Sequence, residues 1–215
     1  MTLDEALEQC PIVAILRGVA PDDVVAVARA LLDAGIRGVE VPLNSPDPLD
    51  SLSRLGRAMA GKMACGAGTV LSAESVQSAA SAGAGFIVAP NIDTSVVEAA
   101  LRLGLTPIPG IATPTEAFAA LAAGAPILKL FPASTYGPGH LKALGTVLPP
   151  GTRVLVVGGV GPAEMPAWAA CGAAGFGLGS ELYRPGQSPD ETFKRAQVAV
   201  TAARALADRP GSATG

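Results

Sequence analysis

Apolar and polar positions along the chain follow a repeated unit. Each unit has an Ala-rich amphipathic stretch, a glycine that ends it, and a short apolar run that closes in Gly, Pro, Thr or Ser. The closing glycines are Gly35, Gly61, Gly83, Gly104, Gly124 and Gly172. Glycine after a helical pattern is typical of a left-handed C-cap, and runs that are apolar on both faces are typical of buried parallel strands. The pattern predicts strands alternating with helices.

Eight of the apolar runs qualify as strands. They cover residues 12–16, 38–43, 64–69, 86–89, 106–109, 127–131, 154–157 and 175–178. Helical patterns lie near 21–34, 47–60, 72–82, 94–103, 114–123, 138–147 and 162–171, with a last one near 190–206. Eight strand–helix units predict an α/β fold, a (β/α)8 TIM barrel with eight parallel strands. A doubly wound open sheet is the alternative.

Length and composition narrow the class of protein. The chain has 215 residues, of which 49% are hydrophobic and 15% charged, so it can bury a large core. We expect one barrel domain over residues 1–206 and a frayed tail at 207–215, where apolar periodicity is missing. All apolar runs are shorter than the roughly 18 residues of a membrane span, and the first residues lack a secretory pattern. These features predict a cytoplasmic protein without a membrane partner.

Charge and rare residues restrict the chemistry further. A net charge of −3 and 4% aromatic residues argue against a nucleic-acid partner. Cys10, Cys65 and Cys171 are odd in number and far apart, which favours reduced thiols. His140 is the single histidine, so a metal site or a His-activated nucleophile is not expected. The chemistry is expected to come from Lys, Arg and carboxylates.

Three charged residues stand in or directly after predicted strands. Lys129 interrupts 127–131, Glu40 lies within 38–43, and Arg17 follows 12–16. In parallel barrels the active site forms at the carboxyl ends of the strands, and an unpaired buried charge is costly. Desolvation lowers a lysine pKa from about 10.4 towards about 7 to 8, where its neutral amine attacks a ketone. The alternative is structural: Lys129 reaches solvent or pairs with Glu40, and Arg17 is a rim charge.

Glycines follow the last two predicted strands. Gly158 and Gly159 come after the seventh strand, and Gly177-Leu178-Gly179-Ser180 comes at the end of the eighth. Barrels of this class bind phosphate at these two loops, because backbone N–H groups converge there on the anion. Tight turns and a C-cap are the alternative. Thr69, after Gly66-Ala67-Gly68, offers a hydroxyl to a carboxylate or is a packing residue.

Several motifs together resemble a known family. They are Ile15-Leu16-Arg17-Gly18, Val39-Glu40-Val41, Gly66-Ala67-Gly68-Thr69-Val70, Pro90-Asn91, Lys129-Leu130-Phe131-Pro132, Gly158-Gly159-Val160 and Gly177-Leu178-Gly179-Ser180. Over nearly its whole length the chain is similar to the 2-keto-3-deoxy-6-phosphosugar-acid aldolases, class I Schiff-base lyases on a trimeric (β/α)8 barrel that need no cofactor or metal. The resemblance implies that Lys129 forms the imine and that Glu40 moves protons. It also implies that Thr69 and Phe131 bind the pyruvyl portion of the substrate. The residues implied to bind its anionic groups are Arg17, Gly158, Gly159, Gly179 and Ser180.

Two positions distinguish the gluconate and galactonate types of this family. The gluconate type has an arginine four residues after the glutamate and a threonine before the Gly-Gly pair, whereas this chain has Asn44 and Val157. The resemblance therefore implies a homotrimer that cleaves a phosphorylated keto-deoxy sugar acid of the galactonate type to pyruvate and D-glyceraldehyde 3-phosphate. The alternatives are the gluconate epimer, a sugar-phosphate isomerase or thiamine-phosphate-synthase-like transferase, and a non-catalytic phosphosugar sensor.

Overall fold

The computed structural model describes residues 1–207, which form strands and helices in alternation. The strands are β1 (Ile12–Ile15), β2 (Gly38–Pro42), β3 (Ala64–Gly68), β4 (Phe86–Val88), β5 (Thr106–Ile108), β6 (Gly110–Ile111), β7 (Ile127–Leu130), β8 (Arg153–Val157) and β9 (Gly175–Leu178). The helices are α1 (Leu3–Gln9), α2 (Pro21–Ala34), α3 (Pro48–Ala58), α4 (Ala73–Ser81), α5 (Thr94–Arg102), α6 (Pro114–Ala122), α7 (Ala133–Tyr136), α8 (Pro138–Gly145), α9 (Met165–Ala169) and α10 (Pro189–Ala207).

All strand pairs are parallel and form one sheet that nearly closes into a barrel. The strand order is β5-β4-β3-β2-β1-β9-β8-β7-β6, so the two ends of the sheet are neighbours in the chain. Only Pro109 separates β5, which pairs with β4, from β6, which pairs with β7. Proline has no N–H to donate to a ladder, so the strand is interrupted there. The order runs in one direction around the sheet, unlike that of a doubly wound open sheet.

The predicted strands agree with the structure in position but not in number. The predicted strand at 106–109 corresponds to β5, and the additional strand β6 begins directly after Pro109, so the described residues contain nine strands where eight were predicted. The helical patterns all correspond to helices, while α1 and α7 were not predicted. Helix α1 has a signal that sequence reasoning overlooked, because Thr2 and Glu5 form a reciprocal capping box.

Two apolar clusters lie on opposite sides of the barrel wall. The larger one lies between the strands and the surrounding helices. The smaller one fills the barrel interior and includes Phe86, Ile127 and Leu155 from the strands together with Leu3 and Ala6 from α1. Helix α1 therefore closes the amino end of the barrel with apolar side chains.

Helix α10 is the last described element. It ends at Ala207, one residue beyond the expected end of the barrel domain. The rest of the expected frayed tail lies outside the described residues. No helix in residues 1–207 has the length and apolar character that crossing a membrane requires.

Candidate active site

Lys129 and Glu40 both lie inside the barrel, on opposite parts of the wall. Lys129 on β7 is 7% exposed and Glu40 on β2 is 3% exposed. Both line a small interior space, which they share with Val157 and with apolar side chains of the neighbouring strands. Because inward and outward positions alternate along a strand, both charged side chains occupy inward positions among otherwise apolar neighbours. The structure therefore brings together the two residues that the sequence singled out for chemistry.

Burial dominates the electrostatics of Glu40. Desolvation raises the pKa of its carboxyl group to about 7, against the opposing effect of the positive charges of Lys129 and Arg17. Its Oε2 atom is buried and has no hydrogen-bond partner among residues 1–207. An unpartnered buried oxygen of this kind is available to a ligand. A carboxyl group with a pKa near neutrality exchanges protons in both directions, which suits a general acid and base.

Glycine at position 68 makes room for this carboxyl group. Pro42 and Gly68 are partners in the register of β2 and β3, and Glu40 lies two residues earlier on β2. A Cβ atom at Gly68 would overlap the Glu40 carboxyl group. Only glycine at this inward position allows Glu40 to lie along the wall of the barrel.

Lys129 is desolvated in the same way. Burial lowers the pKa of its ammonium group, the negative charge of Glu40 opposes this change, the positive charge of Arg17 adds to it, and the resulting pKa is about 8. The Nζ atom lies 4.4 Å from the centroid of the Phe131 ring. A useful fraction of Lys129 is therefore a neutral amine near neutral pH, and such an amine is a nucleophile for carbonyl compounds.

Arg17 and Thr69 lie at the carboxyl rim of the barrel. Arg17 is exposed, and its Nη1 atom donates a hydrogen bond of 2.9 Å to Oδ1 of Asn44. Thr69 follows β3 directly and has a φ of 56°, a left-handed conformation that is uncommon for a β-branched residue. Strained backbone of this kind is concentrated at functional sites. Within residues 1–207 its hydroxyl group makes no hydrogen bond.

The two glycine loops present free backbone amides. Gly158 and Gly159 have φ values of 98° and 69°, a left-handed backbone conformation that favours glycine and leaves this part of the loop without side chains. No described group in residues 1–207 accepts a hydrogen bond from the amides of Gly159, Val160, Gly179 and Ser180. Such a set of unpaired donors can bind an anion.

Phe131 and Val157 connect the interior of the barrel to the glycine loops. A Cβ atom at Gly158 would lie 3.1 Å from the Phe131 ring, so the ring packs directly on this loop. Val157 is buried beside Lys129 and Glu40, and its Cγ2 atom occupies the space where Gly177 lacks a side chain. Lys129, Phe131 and Gly158 thus form a chain of contacts from the barrel interior to the first glycine loop.

Some contacts of this surface were missed by sequence reasoning. Asn44 hydrogen-bonds Arg17 across 27 positions of the chain, and Ser45 Oγ accepts a 2.9 Å hydrogen bond from the Gly18 amide. The effect of Gly68 on Glu40 was also missed. No local signal reveals these contacts, because they depend on the register of β1, β2 and β3. In residues 1–207, no three or more His, Cys, Asp or Glu side chains are grouped in a way that could hold a metal ion.

Comparison with known proteins gives consistent similarities. The model of the KDPG and KHG aldolase family matches residues 3–197. The chain is 48% identical to the 2-dehydro-3-deoxy-6-phosphogalactonate aldolase of Escherichia coli (strain K12), over 90% of this chain and 95% of the relative. A solved structure described as "Native KDPGal structure" is similar with a TM-score of 0.91 and 47% identity, over 93% of this chain and 97% of that chain. A cube-shaped protein cage designed by fusing symmetric oligomeric domains has the same TM-score and identity, over 93% of this chain and 74% of that chain.

Proposed function

The chain belongs to the KDPG and KHG aldolase family, and from that membership we propose that it is a class I lyase acting on 2-dehydro-3-deoxy-6-phosphogalactonate. The products are pyruvate and D-glyceraldehyde 3-phosphate. The observation that carries the proposal is Lys129, a buried lysine with a lowered pKa beside a buried carboxyl group. The identity to the galactonate relative supports this substrate over the gluconate epimer.

The first half of the reaction is imine formation. The neutral amine of Lys129 adds to the C2 ketone to give a carbinolamine, and loss of water gives an iminium ion. The iminium withdraws electrons from the C3–C4 bond. A desolvated amine favours this step, because an ammonium group has no lone pair to donate.

The second half is carbon–carbon cleavage with two proton transfers. Glu40 takes the proton of the C4 hydroxyl, directly or through water, as the C3–C4 electrons move to the iminium and glyceraldehyde 3-phosphate forms. Glu40 then returns a proton to C3 of the enamine, and water hydrolyses the resulting imine to pyruvate and free Lys129. The raised pKa of Glu40 suits a group that acts as base and then as acid.

The remaining residues hold the substrate. Thr69 and Phe131 contact the pyruvyl portion, while Arg17 and the amides of the two glycine loops bind its anionic groups. The unpaired amides of Gly159, Val160, Gly179 and Ser180, in the loops that begin at Gly158 and after β9, suit the phosphate. Val157 lies beside Lys129, where it contacts the carbon that carries the C4 hydroxyl. The reaction needs neither a cofactor nor a metal.

Reductive trapping tests the proposal directly. Pyruvate with borohydride should modify Lys129 irreversibly, because reduction converts the imine into a stable amine. The trapping rate should rise with pH up to about 8, since only the neutral amine adds and its pKa is lowered to about that value. An adduct on Lys62, Lys142 or Lys194, or no adduct in active protein, would contradict the assignment. An isomerase or a sensor forms no imine, so the same experiment separates these classes.

The assembly and location are further proposals. We propose a homotrimer, which the similarity to a domain of a cage built from symmetric oligomers supports, and light scattering in solution tests it. We propose a cytoplasmic location, in keeping with the free thiols of Cys10, Cys65 and Cys171, and cell fractionation tests that.

We propose that β5 and β6 count as one barrel strand interrupted at Pro109, which makes eight strand–helix units.

A further inference from the structure

Two hydrogen bonds join the loops after β1 and β2 at the mouth of the barrel. Asn44 Oδ1 accepts from the Arg17 guanidinium at 2.9 Å, and Ser45 Oγ accepts from the Gly18 amide at 2.9 Å. Ser45 is buried, so its bond ties the two backbones together, whereas Asn44 is exposed and acts on the Arg17 side chain. In residues 1–207 the guanidinium has no other hydrogen-bond partner. Its remaining N–H groups are therefore free for a ligand.

The direction of this guanidinium matters to the reaction. Arg17 is a long side chain with several rotatable bonds, so one fixed contact restricts where its charge lies. That charge acts on both Glu40 and Lys129, favouring the carboxylate and disfavouring the ammonium. Asn44 accepts a hydrogen bond without carrying a charge, so it orients Arg17 and leaves the positive charge available. An aspartate at this position would form an ion pair and neutralise it.

We propose that Asn44 is a positioning residue that holds the Arg17 guanidinium towards an anionic group of the substrate, a carboxylate or a phosphate. The inference rests on the proposed aldolase function and deepens it. Asn44 acts through Arg17 and does not itself need to contact the substrate. Its neutral amide is as important as its hydrogen bond.

A double-mutant cycle tests whether Asn44 acts through Arg17. Asn44→Ala should raise the KM for one anionic ligand about tenfold, because the loss of a hydrogen bond to a charged group has an effect of about that size. The same substitution should change kcat by less than about threefold. In an Arg17→Ala background the same substitution should have no further effect. Equal effects in the two backgrounds, or no effect in either, would overturn the proposal. Glu98→Gln is the matched control, because it removes the partner of an exposed arginine, Arg102, on the outer helix α5.

Two assays identify the anion that Arg17 meets. The concentration of pyruvate that gives half-maximal trapping by borohydride reports the carboxylate. The KM for glyceraldehyde 3-phosphate in condensation with pyruvate reports the phosphate. A change in either one supports the proposal and names the group, whereas no change in both overturns it.

Asn44→Asp changes the pH dependence of trapping only if Asn44 acts on the charge of Arg17. A purely structural role of Asn44 would leave this pH dependence unchanged. The new carboxylate would pair with Arg17, so KM should rise further than in Asn44→Ala. The charged groups that act on Lys129 are Glu40 and Arg17, and its ammonium faces the Phe131 ring. Cancelling the charge of Arg17 should raise the pKa of Lys129 and shift the pH dependence of trapping to higher pH. Identical behaviour of Asn44→Asp and Asn44→Ala would overturn the proposal.

Different results would contradict the proposed function and the role of Asn44. A wild-type protein that cleaves neither sugar-acid epimer would remove the proposed function and the role of Asn44 together. An active wild type with an additive cycle would remove only the role of Asn44. Circular dichroism of each variant, compared with wild type, confirms that the measured changes belong to folded protein.

Discussion

The two ends of the barrel interior are built from the same strands but do different work. On β7, Ile127 faces the apolar cluster at the amino end, and Lys129, two residues later, faces the site at the carboxyl end. The amino end is closed by Leu3 and Ala6 of α1. The carboxyl end opens onto loops with unpaired amides. A single strand thus carries an apolar residue of the interior cluster near its amino end and the proposed nucleophile near its carboxyl end.

The energetic difference between the ends has a physical cause. Apolar burial at the amino end stabilises the fold by about 25 cal/mol per Å² removed from water. At the carboxyl end, burial of Lys129 and Glu40 costs free energy, which shows as pKa values displaced towards neutrality. The proposed active site therefore lies at the end of the barrel where burial lowers the stability of the fold.

Removal of the proposed nucleophile is expected to have the largest effect. Lys129→Met should lower turnover by at least about 10⁵-fold and abolish trapping, because no other group there forms an imine. Below about pH 7, where the Glu40 carboxyl group is protonated and needs no charged partner, the fold should become more stable, since an apolar side chain of similar length replaces a desolvated amine. Steady-state kinetics and thermal unfolding measure the two effects. Lys142→Met on the exposed surface of α8 is the control, and loss of stability in Lys129→Met would contradict the energetic argument.

Glu40→Gln should separate imine formation from cleavage. The amide keeps the shape of the side chain but does not titrate, so turnover should fall by about 10² to 10⁴-fold while pyruvate is still trapped on Lys129. Stopped assays of cleavage and mass spectrometry of the adduct measure the two steps. Near-normal cleavage would make Glu40 a structural ion partner. EDTA should leave the wild type unchanged.

The amino end should respond in the opposite way. Ile127→Ala removes a fully buried side chain from the interior cluster and should cost about 2 to 5 kcal/mol of unfolding free energy. The pKa of Lys129 and the trapping rate should change little, because position 127 lies two residues before Lys129 on β7, on the side of the barrel's amino end. Urea unfolding and trapping measure the two quantities. A large loss of trapping in folded protein would show that the ends are not separate.

The smallest expected effect concerns the epimers at C4. Val157 offers no hydrogen bond to a hydroxyl that a threonine there would satisfy, and an unmade buried hydrogen bond costs about 1 to 3 kcal/mol. The galacto epimer should therefore be preferred by roughly tenfold to a hundredfold in kcat/KM. Val157→Thr should narrow the gap by improving turnover of the gluco epimer. Equal or reversed preference in the wild type would refute the choice of substrate, and an unchanged ratio in the variant would place the discrimination at Asn44 and its loop.

The local pattern of apolar and polar residues was enough to predict the alternation of strands and helices. It was also enough to identify the charged residues inside the barrel strands. Apolar runs bounded by glycine define strands wherever they lie in the fold, because strand and helix periods are local properties. Lys129 was found from sequence for the same reason: a charge inside an apolar run is visible without knowing its neighbours. The capping box of Thr2 and Glu5 was equally local, so α1 was predictable although it was overlooked.

Only the tertiary structure decided how these pieces meet. The interruption at Pro109 depends on β5 pairing with β4 while β6 pairs with β7. The placement of Glu40 against Gly68 and of Arg17 against Asn44 depends on the register of strands that are far apart in the chain. The pKa values of Glu40 and Lys129 depend on how completely the nearly closed barrel excludes water. Register and desolvation are properties of the assembled barrel, so no single segment of the sequence contains them.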